Sequence, residues 1–459
     1  MCDYGGNCKG TGMMDTPILD FVRRYAAGDA LRMHMPGHKG KNLLGMENLD
    51  ITEIDGADSL YEASGIIRKS EENASLLFGC DTVYSTEGCS QCIRAMLYLT
   101  VLYARQMGRK PRIAAARNVH KTFLSAAALL DVDVLWLYPE EDESYLSCTL
   151  NLIELEAVLS REKPVAVYLT SPDYLGNVAD VAAVSRLCRQ YQTLLLVDNA
   201  HGAYLRFLTP SQHPVDLGAD LCCDSAHKTL PVLTGGAYLH FSANLPAMFR
   251  EQAKNALMLF GSTSPSYLIL QSLDAANAYL ADGYSQKLAA FAAQVQSLKK
   301  RLTGYHLQGD EPLKITIQTK PYGYTGTEFA EMLKQNEIFC EFYDPDYVVL
   351  MLTPEHTAED LKRLEQVLCA IAPRPAIICN PPRIPRCKRI LSIRQAMLAP
   401  CEMVPTAACV GRVLAAASAG CPPAVPIAVC GEKLNEDAAA CFSYYGIESC
   451  SVVKKDFCL

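Results

Sequence analysis

The chain has 459 residues, of which 50% are hydrophobic and 20% are charged, and its formal net charge is −8 at pH 7. This length and composition predict two or three globular domains with large cores rather than a disordered chain. The acidic balance argues against nucleic acid as a partner, and neither a membrane-length apolar stretch nor a signal peptide is visible, so we expect a cytoplasmic protein without a membrane anchor.

The first part of the chain predicts an N-terminal arm followed by a large domain. Residues 1–60 show one short helical pattern, at 18–27, and are otherwise irregular. From 61 to 290, short apolar runs alternate with helical patterns, which favours a mostly parallel sheet with helices on both faces. The predicted strands are 112–116, 132–138, 165–169, 193–198, 220–223 and 237–241.

A smaller C-terminal domain is predicted over residues 291–459. A long helical pattern at 275–302 would connect it to the large domain, and residues 373–385 are rich in proline, which indicates a loop or linker. The fold class expected is therefore α/β, with a mostly parallel central sheet flanked by helices and a smaller α+β domain. Further predicted elements are strands at 314–318 and 347–352 and helices at 358–371 and 435–444.

Twenty cysteines raise the question of a metal site or of disulfides. Ten of them lie between Cys369 and Cys458, without a C-x-x-C pair and without a histidine in that segment. This spacing is not that of a zinc site. Cys89 and Cys92 do form a C-x-x-C pair, but at a predicted helix start. We predict no bound metal, and thiols that are reduced and mostly buried.

The strongest functional signal is a lysine that follows an aspartate at the ends of two predicted strands. Lys228 lies in the run Asp-Ser-Ala-His-Lys-Thr at 224–229, and Asp198 ends the apolar run before it. The carboxyl ends of parallel strands face one ligand crevice, so both side chains are expected there. A lysine that forms a Schiff base and a carboxylate that pairs with a pyridinium nitrogen are what pyridoxal 5′-phosphate (PLP) chemistry needs. The sequence therefore predicts a PLP site.

A candidate phosphate site precedes the helical pattern at 91–106. Residues 85–90 are Ser-Thr-Glu-Gly-Cys-Ser, and a helix start offers unpaired N–H donors and a favourable dipole to an anion. Gly88 would let the backbone approach the phosphate, with Cys89 and Ser90 beside it. Ser225 and His227 would complete the shell from the second loop. An ordinary capped helix is the alternative interpretation.

Taken together and in this order, the motifs resemble the ornithine/lysine/arginine decarboxylase family of fold-type-I PLP enzymes, in its short bacterial form. The resemblance covers most of the chain and implies PLP-dependent decarboxylation of arginine, lysine or ornithine through a Lys228 Schiff base. The amine product would serve polyamine synthesis or acid resistance. The matching segments are 33–40 (Met-His-Met-Pro-Gly-His-Lys-Gly), 55–60 (Asp-Gly-Ala-Asp-Ser-Leu), 117–121 (Arg-Asn-Val-His-Lys), 198–203 (Asp-Asn-Ala-His-Gly-Ala), 225–229 and 262–267 (Ser-Thr-Ser-Pro-Ser-Tyr).

The resemblance also implies roles for individual residues. His120 would stack on the face of the pyridine ring, and His201 would reach the ring's phenolic oxygen or the substrate carboxylate, with Ala200 also at the cofactor. Thr263 would reach the phosphate across the interface of a homodimer with shared active sites, and the expected assembly is this dimer or a dimer of dimers. The predicted catalytic residues are Lys228, Asp198, His120 and His227.

Substrate choice would depend on an acid that recognises the distal cation. The run 341–344, Glu-Phe-Tyr-Asp, is similar to the family's and offers Glu341 and Asp344, and Arg394 is a third candidate for substrate contact. Solvated surface pairs are the alternative for all three.

The chain departs from the family pattern at Glu87, Cys89, Asp173 and Cys421, the last in a Cys-Pro-Pro-Ala run where Tyr-Pro-Pro-Gly is usual. The departures leave two alternatives open. One is another fold-type-I reaction, such as that of an aminotransferase or a lyase, and the other is a non-catalytic PLP-binding regulatory protein.

Overall fold

The structure is a computed structural model that describes residues 14–139, 144–416 and 424–455. Its centre is a seven-stranded sheet in which the neighbours β3, β2, β4, β5 and β6 are parallel. At one edge, β7 pairs antiparallel with β6, and β1 pairs antiparallel with β7. The strands are β1 (Asp81–Ser85), β2 (Arg112–Ala116), β3 (Asp133–Leu137), β4 (Ala166–Thr170), β5 (Leu194–Asp198), β6 (Leu221–Asp224) and β7 (Ala237–Phe241).

Helices cover both faces of this sheet, which explains why its strands are apolar at consecutive positions. Along β5, Leu196 packs in one core cluster, with residues of α3 and α4, and Leu195 and Val197 pack in another, with residues of α5 and α6. The helices are α1 (Pro17–Ala27), α2 (Ile66–Phe78), α3 (Gly88–Gln106), α4 (Lys121–Leu130), α5 (Leu152–Glu162), α6 (Val181–Gln190), α7 (Ala226–Thr229), α8 (Ala247–Glu251), α9 (Ala253–Met258), α10 (Tyr267–Ala281) and α11 (Tyr284–Arg301).

A four-stranded antiparallel sheet follows α11, in the order β10-β11-β9-β8. The first residue of its strand β9, Lys314, contacts His201, which lies in the loop after β5 of the large sheet. The elements are β8 (His306–Gln308), β9 (Lys314–Gln318), α12 (Gly326–Gln335), β10 (Phe342–Tyr343), β11 (Tyr347–Met351) and α13 (Ala358–Ala370).

The last segment contains two small antiparallel sheets, β12 with β14 and β13 with β15. It packs back on the large sheet's helices, because Ile393 and Val429 belong to the same core cluster as Phe123 of α4. Its elements are β12 (Lys388–Arg389), α14 (Ile393–Met397), β13 (Cys401–Pro405), β14 (Glu432–Lys433), α15 (Glu436–Tyr444) and β15 (Ser449–Val453).

The predicted α/β fold class is confirmed, but the single helix predicted at 275–302 is wrong. The chain forms α10 and α11 instead, separated by Gly283, whose φ of +71° lies outside the helical region. Glycine adopts this conformation without the steric penalty of a Cβ atom, so it breaks the helix where the apolar pattern runs on. Among the helices of the described ranges, none has the length and apolar character that a membrane crossing needs.

Candidate active site

A cavity of about 330 Å³ lies at the carboxyl ends of the parallel strands, where sheets of this kind bind ligands. The loops after β4, β5 and β6 and the starts of α3 and α4 form its wall. Among its lining residues are these members of the predicted site: Gly88, Cys89, Ser90, His120, Asp198, Ala200, His201, Ser225, His227 and Lys228. The fold thus brings together side chains that are up to 140 positions apart in sequence.

Asp198, the last residue of β5, is buried at the base of this cavity. Its carboxylate accepts hydrogen bonds from the Tyr168 hydroxyl at 3.2 Å and from the Ala200 N–H at 3.2 Å. Burial raises the pKa of Asp198, and the opposing effect of Lys228 and of these donors does not cancel it. The protein's own charged groups and hydrogen-bond donors therefore do not fully compensate the negative charge of this carboxylate.

Lys228 lies in the short helix α7 and is in direct contact with His201. The Lys228 Nζ and His201 Nε2 atoms are 2.8 Å apart. On the other side of the ring, His201 Nδ1 is 3.1 Å from Nζ of Lys314, the first residue of β9. The edge of the Tyr174 ring contacts the same imidazole, with centroids 5.1 Å apart. Burial, followed by the charges of Lys228 and Lys314, holds the pKa of His201 well below its usual range.

His120 caps the start of α4, and this contact fixes its ring. Its Nδ1 atom accepts the Thr122 N–H at 3.2 Å and lies 2.9 Å from the Thr122 hydroxyl. Burial, together with the charge of Lys228, lowers the pKa of His120 to about 4. The ring is therefore neutral at pH 7, with its proton on Nε2, and it lines the cavity.

The other end of the cavity has the features of an anion site. Helix α3 leaves the first N–H groups of its backbone without carbonyl partners inside the helix. The Gly88 N–H itself donates to the Gly235 carbonyl at 2.7 Å, and a Cβ at position 235 would lie 2.8 Å from the Thr86 carbonyl oxygen, so this approach needs glycine. His227 donates from Nδ1 to the Gly236 carbonyl at 3.0 Å, so Nε2 can donate to an anion only when the ring is protonated.

The structure shows the contacts of two residues that depart from the family pattern. The Glu87 carboxylate accepts the backbone N–H of Ser262, so it holds the 262–267 loop. Asp173 is buried and accepts the N–H groups of Leu175 and Asn177 at 2.9 and 3.0 Å, which gives it a role inside its own turn. Cys421 lies outside the described residues.

Four further predicted residues lie outside the cavity wall, namely Thr263, Glu341, Asp344 and Arg394. Thr263 is exposed in the loop that Glu87 holds. Glu341 lies next to the cavity, because Tyr174 lines it and its hydroxyl donates to Glu341 Oε1 at 3.3 Å.

Two of the predicted substrate residues have contacts elsewhere. Asp344 is buried and accepts the N–H groups of Asp346 and Tyr347 at 2.7 and 2.8 Å, which closes the turn between β10 and β11. Arg394 donates to the carbonyls of Ala128 and Leu129 at the end of α4. Neither residue lines the cavity, because the Asp344 carboxylate is bound within a turn and the Arg394 guanidinium at the end of a helix.

Sequence reasoning missed three polar groups of the site. Thr170 Oγ1 and Asn118 Oδ1 are buried at the cavity without a protein partner among the described residues. Thr170 ends β4 directly beside Asp198, so its position at a strand end was a usable signal. Lys314 offered a signal too, since a lysine that begins an apolar strand is unusual when it is buried.

Comparisons with known proteins agree with this geometry. The family described as Orn/Lys/Arg decarboxylase, major domain, matches residues 16–305. Two relatives come from Bacillus subtilis: the protein YaaO is 31% identical over 74% of each chain, and an arginine decarboxylase is 27% identical over 92% of each. The solved structure of lysine decarboxylase A from Pseudomonas aeruginosa has a TM-score of 0.79 at 17% identity, covering 95% of this chain and 80% of that one.

Proposed function

Because the chain belongs to the ornithine/lysine/arginine decarboxylase family and is an amino acid decarboxylase, we propose that it binds PLP at Lys228 and uses it to decarboxylate a basic amino acid. The family predicted from the motifs is confirmed by these comparisons. The observation that carries the proposal is the presence of Lys228 and the incompletely compensated Asp198 in one cavity. Arginine is the first candidate substrate, because the relative that covers 92% of the chain is named an arginine decarboxylase.

The residues of the cavity fit PLP. Burial raises the pKa of Asp198, and a pyridinium N–H would supply both the cation and the donor that this carboxylate lacks. The volume of about 330 Å³ is within the range of small-molecule sites. Thr170 Oγ1 and Asn118 Oδ1 are buried polar atoms at the cavity for which a ligand would supply partners.

Different residues would hold different parts of the cofactor. Lys228 Nζ would bind the aldehyde carbon as a Schiff base, and Asp198 would keep the proton on the pyridine nitrogen. The flat face of His120 would lie on the ring. The start of α3, with Ser90, and the second loop, with Ser225 and with His227 protonated at Nε2, would hold the phosphate.

When bound, PLP supplies the electron sink for the pair of electrons that remains when carbon dioxide leaves. The chain's own residues then have to return a proton to the substrate carbon. Lys228 Nζ is the first candidate donor because it lies in the cavity, and His227 is the second when its ring is protonated.

Glu341 is the acid that we propose for the substrate's distal cation. It lies next to the cavity through Tyr174, and its negative charge acts on the His227 ring. Arginine, lysine and ornithine differ in the length and shape of the cationic end, so an acid at this entrance would select among them.

We propose in addition that the active unit is a homodimer, in which Thr263 reaches the partner's site. The exposed position of Thr263 in a single chain supports this, since Thr263 does not line the cavity of its own chain. A mass measurement by light scattering that gives a fully active monomer would remove this part of the proposal.

The decisive experiment measures carbon dioxide released from labelled arginine, lysine and ornithine by the purified protein with added PLP. Release from one of the three is expected, together with the matching amine. A Lys228→Ala variant provides the matched control. Consumption of the amino acid with formation of a keto acid would indicate transamination instead, and PLP binding without any turnover would indicate a non-catalytic protein.

A further inference from the structure

Lys314 is a buried lysine behind the proposed active site. Its side chain is 1% exposed, and it comes from β9 of the smaller sheet rather than from the crevice loops. A charged ammonium at such a depth is costly unless every N–H group has an acceptor.

The ammonium of Lys314 has three partners. It forms an ion pair with Glu311, whose Oε2 is 2.8 Å from Nζ, and it lies within hydrogen-bond distance of the Asp173 carbonyl at 3.2 Å and of His201 Nδ1 at 3.1 Å. Glu311 is itself buried, and its other carboxylate oxygen accepts the Tyr204 hydroxyl at 3.1 Å. An ammonium has three N–H donors and no acceptor, so all three contacts must run from Lys314 outward. His201 Nδ1 therefore carries no proton.

The second ring nitrogen of His201 contacts Lys228, and this contact restricts the protonation state of the Lys228 side chain. A neutral imidazole has one donor and one acceptor, and Nδ1 is already used as the acceptor. The proton then lies on Nε2, which is 2.8 Å from Lys228 Nζ. A ring N–H at this distance needs a lone pair, which an amine has and an ammonium does not. Glu311 Oε2 is 2.8 Å from the Lys314 ammonium, so the lone pair that the His201 N–H needs has to come from Lys228.

We propose that Lys314 is a positioning residue of this active site: its ammonium places the His201 proton on Nε2, and that N–H favours the amine form of Lys228. The consequence for PLP capture rests on the proposed function. Only the amine form of a lysine attacks an aldehyde, so Lys314 would hasten formation of the Lys228 Schiff base at neutral pH.

Other charged groups act on the same two side chains. His120 at the start of α4 and His227 of α7 add to the electrostatic environment of His201. Asp198 faces Lys228 and favours its ammonium, so it opposes Lys314 until a pyridine nitrogen occupies that carboxylate. The effect of Lys314 should therefore be seen most clearly in the kinetics of cofactor binding.

The first test reads the His201 tautomer by nitrogen-15 NMR of the histidine-labelled full-length protein, with the His201→Gln variant to assign the signal. We expect a protonated Nε2 and an unprotonated Nδ1 in the wild type. Lys314→Met should change the Nδ1 signal, because its donor is gone. Lys320→Met is the matched control, since Lys320 is also buried and paired with an acid, Asp346 at 2.8 Å, and should leave His201 unchanged.

A wild-type protein with a protonated Nδ1 would overturn the proposal, even if Lys314→Met does not fold. So would a Lys314→Met ring with the wild-type signals. Because no substrate or turnover enters this measurement, it stays valid if the carbon dioxide assay fails and the proposed function has to be given up.

The second test follows PLP capture by absorbance after mixing. Loss of one buried hydrogen bond predicts capture about tenfold slower in Lys314→Met at neutral pH. The difference should shrink at alkaline pH, where the solvent itself removes the Lys228 proton, and a merely structural defect would not show this dependence. Equal rates of the wild type and Lys314→Met at neutral pH would refute the link to Lys228.

Discussion

Two aspartates end neighbouring strands of the central sheet and are both buried, yet their pKa values are shifted in opposite directions. Asp224, at the end of β6, accepts from His213 Nε2 at 3.0 Å, His240 Nε2 at 3.1 Å and Asn199 Nδ2 at 2.7 Å. Burial alone would raise its pKa, but the two histidines hold the pKa of Asp224 far below its usual range. For Asp198, at the end of β5, burial prevails and the pKa is raised.

The difference teaches how to separate a structural acid from a functional one in the same sheet. Asp224 finds its whole complement of donors inside the protein, so its charge supports the fold. Asp198 has weaker partners and faces a cavity, so its compensation has to come from a ligand. A perturbed pKa marks both residues, and only the direction of the shift and the cavity distinguish them.

The largest expected effect concerns the lysine that faces Asp198. Lys228→Ala should lower turnover by on the order of 10⁴ or more, because the cofactor loses its covalent attachment and the substrate carbon loses a proton donor. Borohydride reduction followed by peptide mass analysis should find PLP on the peptide that contains residue 228 in the wild type. Labelling of a different lysine would show that the cavity has been misassigned.

Asp198→Asn should lower kcat by about 10²–10³, because an amide cannot hold the pyridine nitrogen in its protonated form as a carboxylate does. The cofactor should still bind, since the Lys228 and phosphate contacts remain. In the cofactor-free protein, the free energy of unfolding should stay the same or rise, because a poorly compensated buried charge has been removed. A large fall in the free energy of unfolding of Asp198→Asn would contradict the proposed difference between Asp198 and Asp224.

Asp224→Asn should have the opposite profile and lower the free energy of unfolding by about 3 kcal/mol. It leaves two buried histidines without the carboxylate that accepts from both. Urea denaturation of this variant and of Asp198→Asn, measured in the same buffer, gives the comparison directly. Equal midpoints in the two variants would contradict it.

The pH dependence of stability should differ in sign between the two acids. The depressed pKa of Asp224 means that its contribution is complete above the pKa of the unfolded chain, about 4, and is lost as the pH falls toward the folded value. The raised pKa of Asp198 means that its contribution is present below about pH 4 and is lost as the pH rises through its folded value. Acid should therefore destabilise the wild type more than Asp224→Asn, which urea titrations at successive pH values would show.

The smallest effect is expected at the cavity entrance. Glu341→Gln should raise KM for the basic substrate about fivefold and leave kcat nearly unchanged, because an exposed ion pair contributes little energy and acts before the chemical step. Glu337→Gln is a suitable control, since Glu337 is an exposed acid paired with Arg363. A change in kcat alone would place Glu341 in a different role.

The sequence predicted most of the large domain's strands because their apolar runs are local signals. The strands Arg112–Ala116 and Ala237–Phe241 were predicted to the residue, whereas β1 was missed because Asp81–Ser85 mixes polar and apolar positions at the edge of the sheet. The break between α10 and α11 was missed because the apolar pattern continues across Gly283. Backbone conformation, not hydrophobicity, ends that helix.

The sequence by itself determined the list of reactive groups and the strand ends that carry them. Lys228, Asp198 and the start of α3 all follow recognisable local patterns. Only the tertiary structure decided which acid lacks partners and which distant residue acts on the lysine. Asp198 and Asp224 both end apolar strands, and Lys314 lies 86 positions beyond Lys228. Hydrogen-bond partners and burial are supplied across the whole chain, so no local pattern could report them.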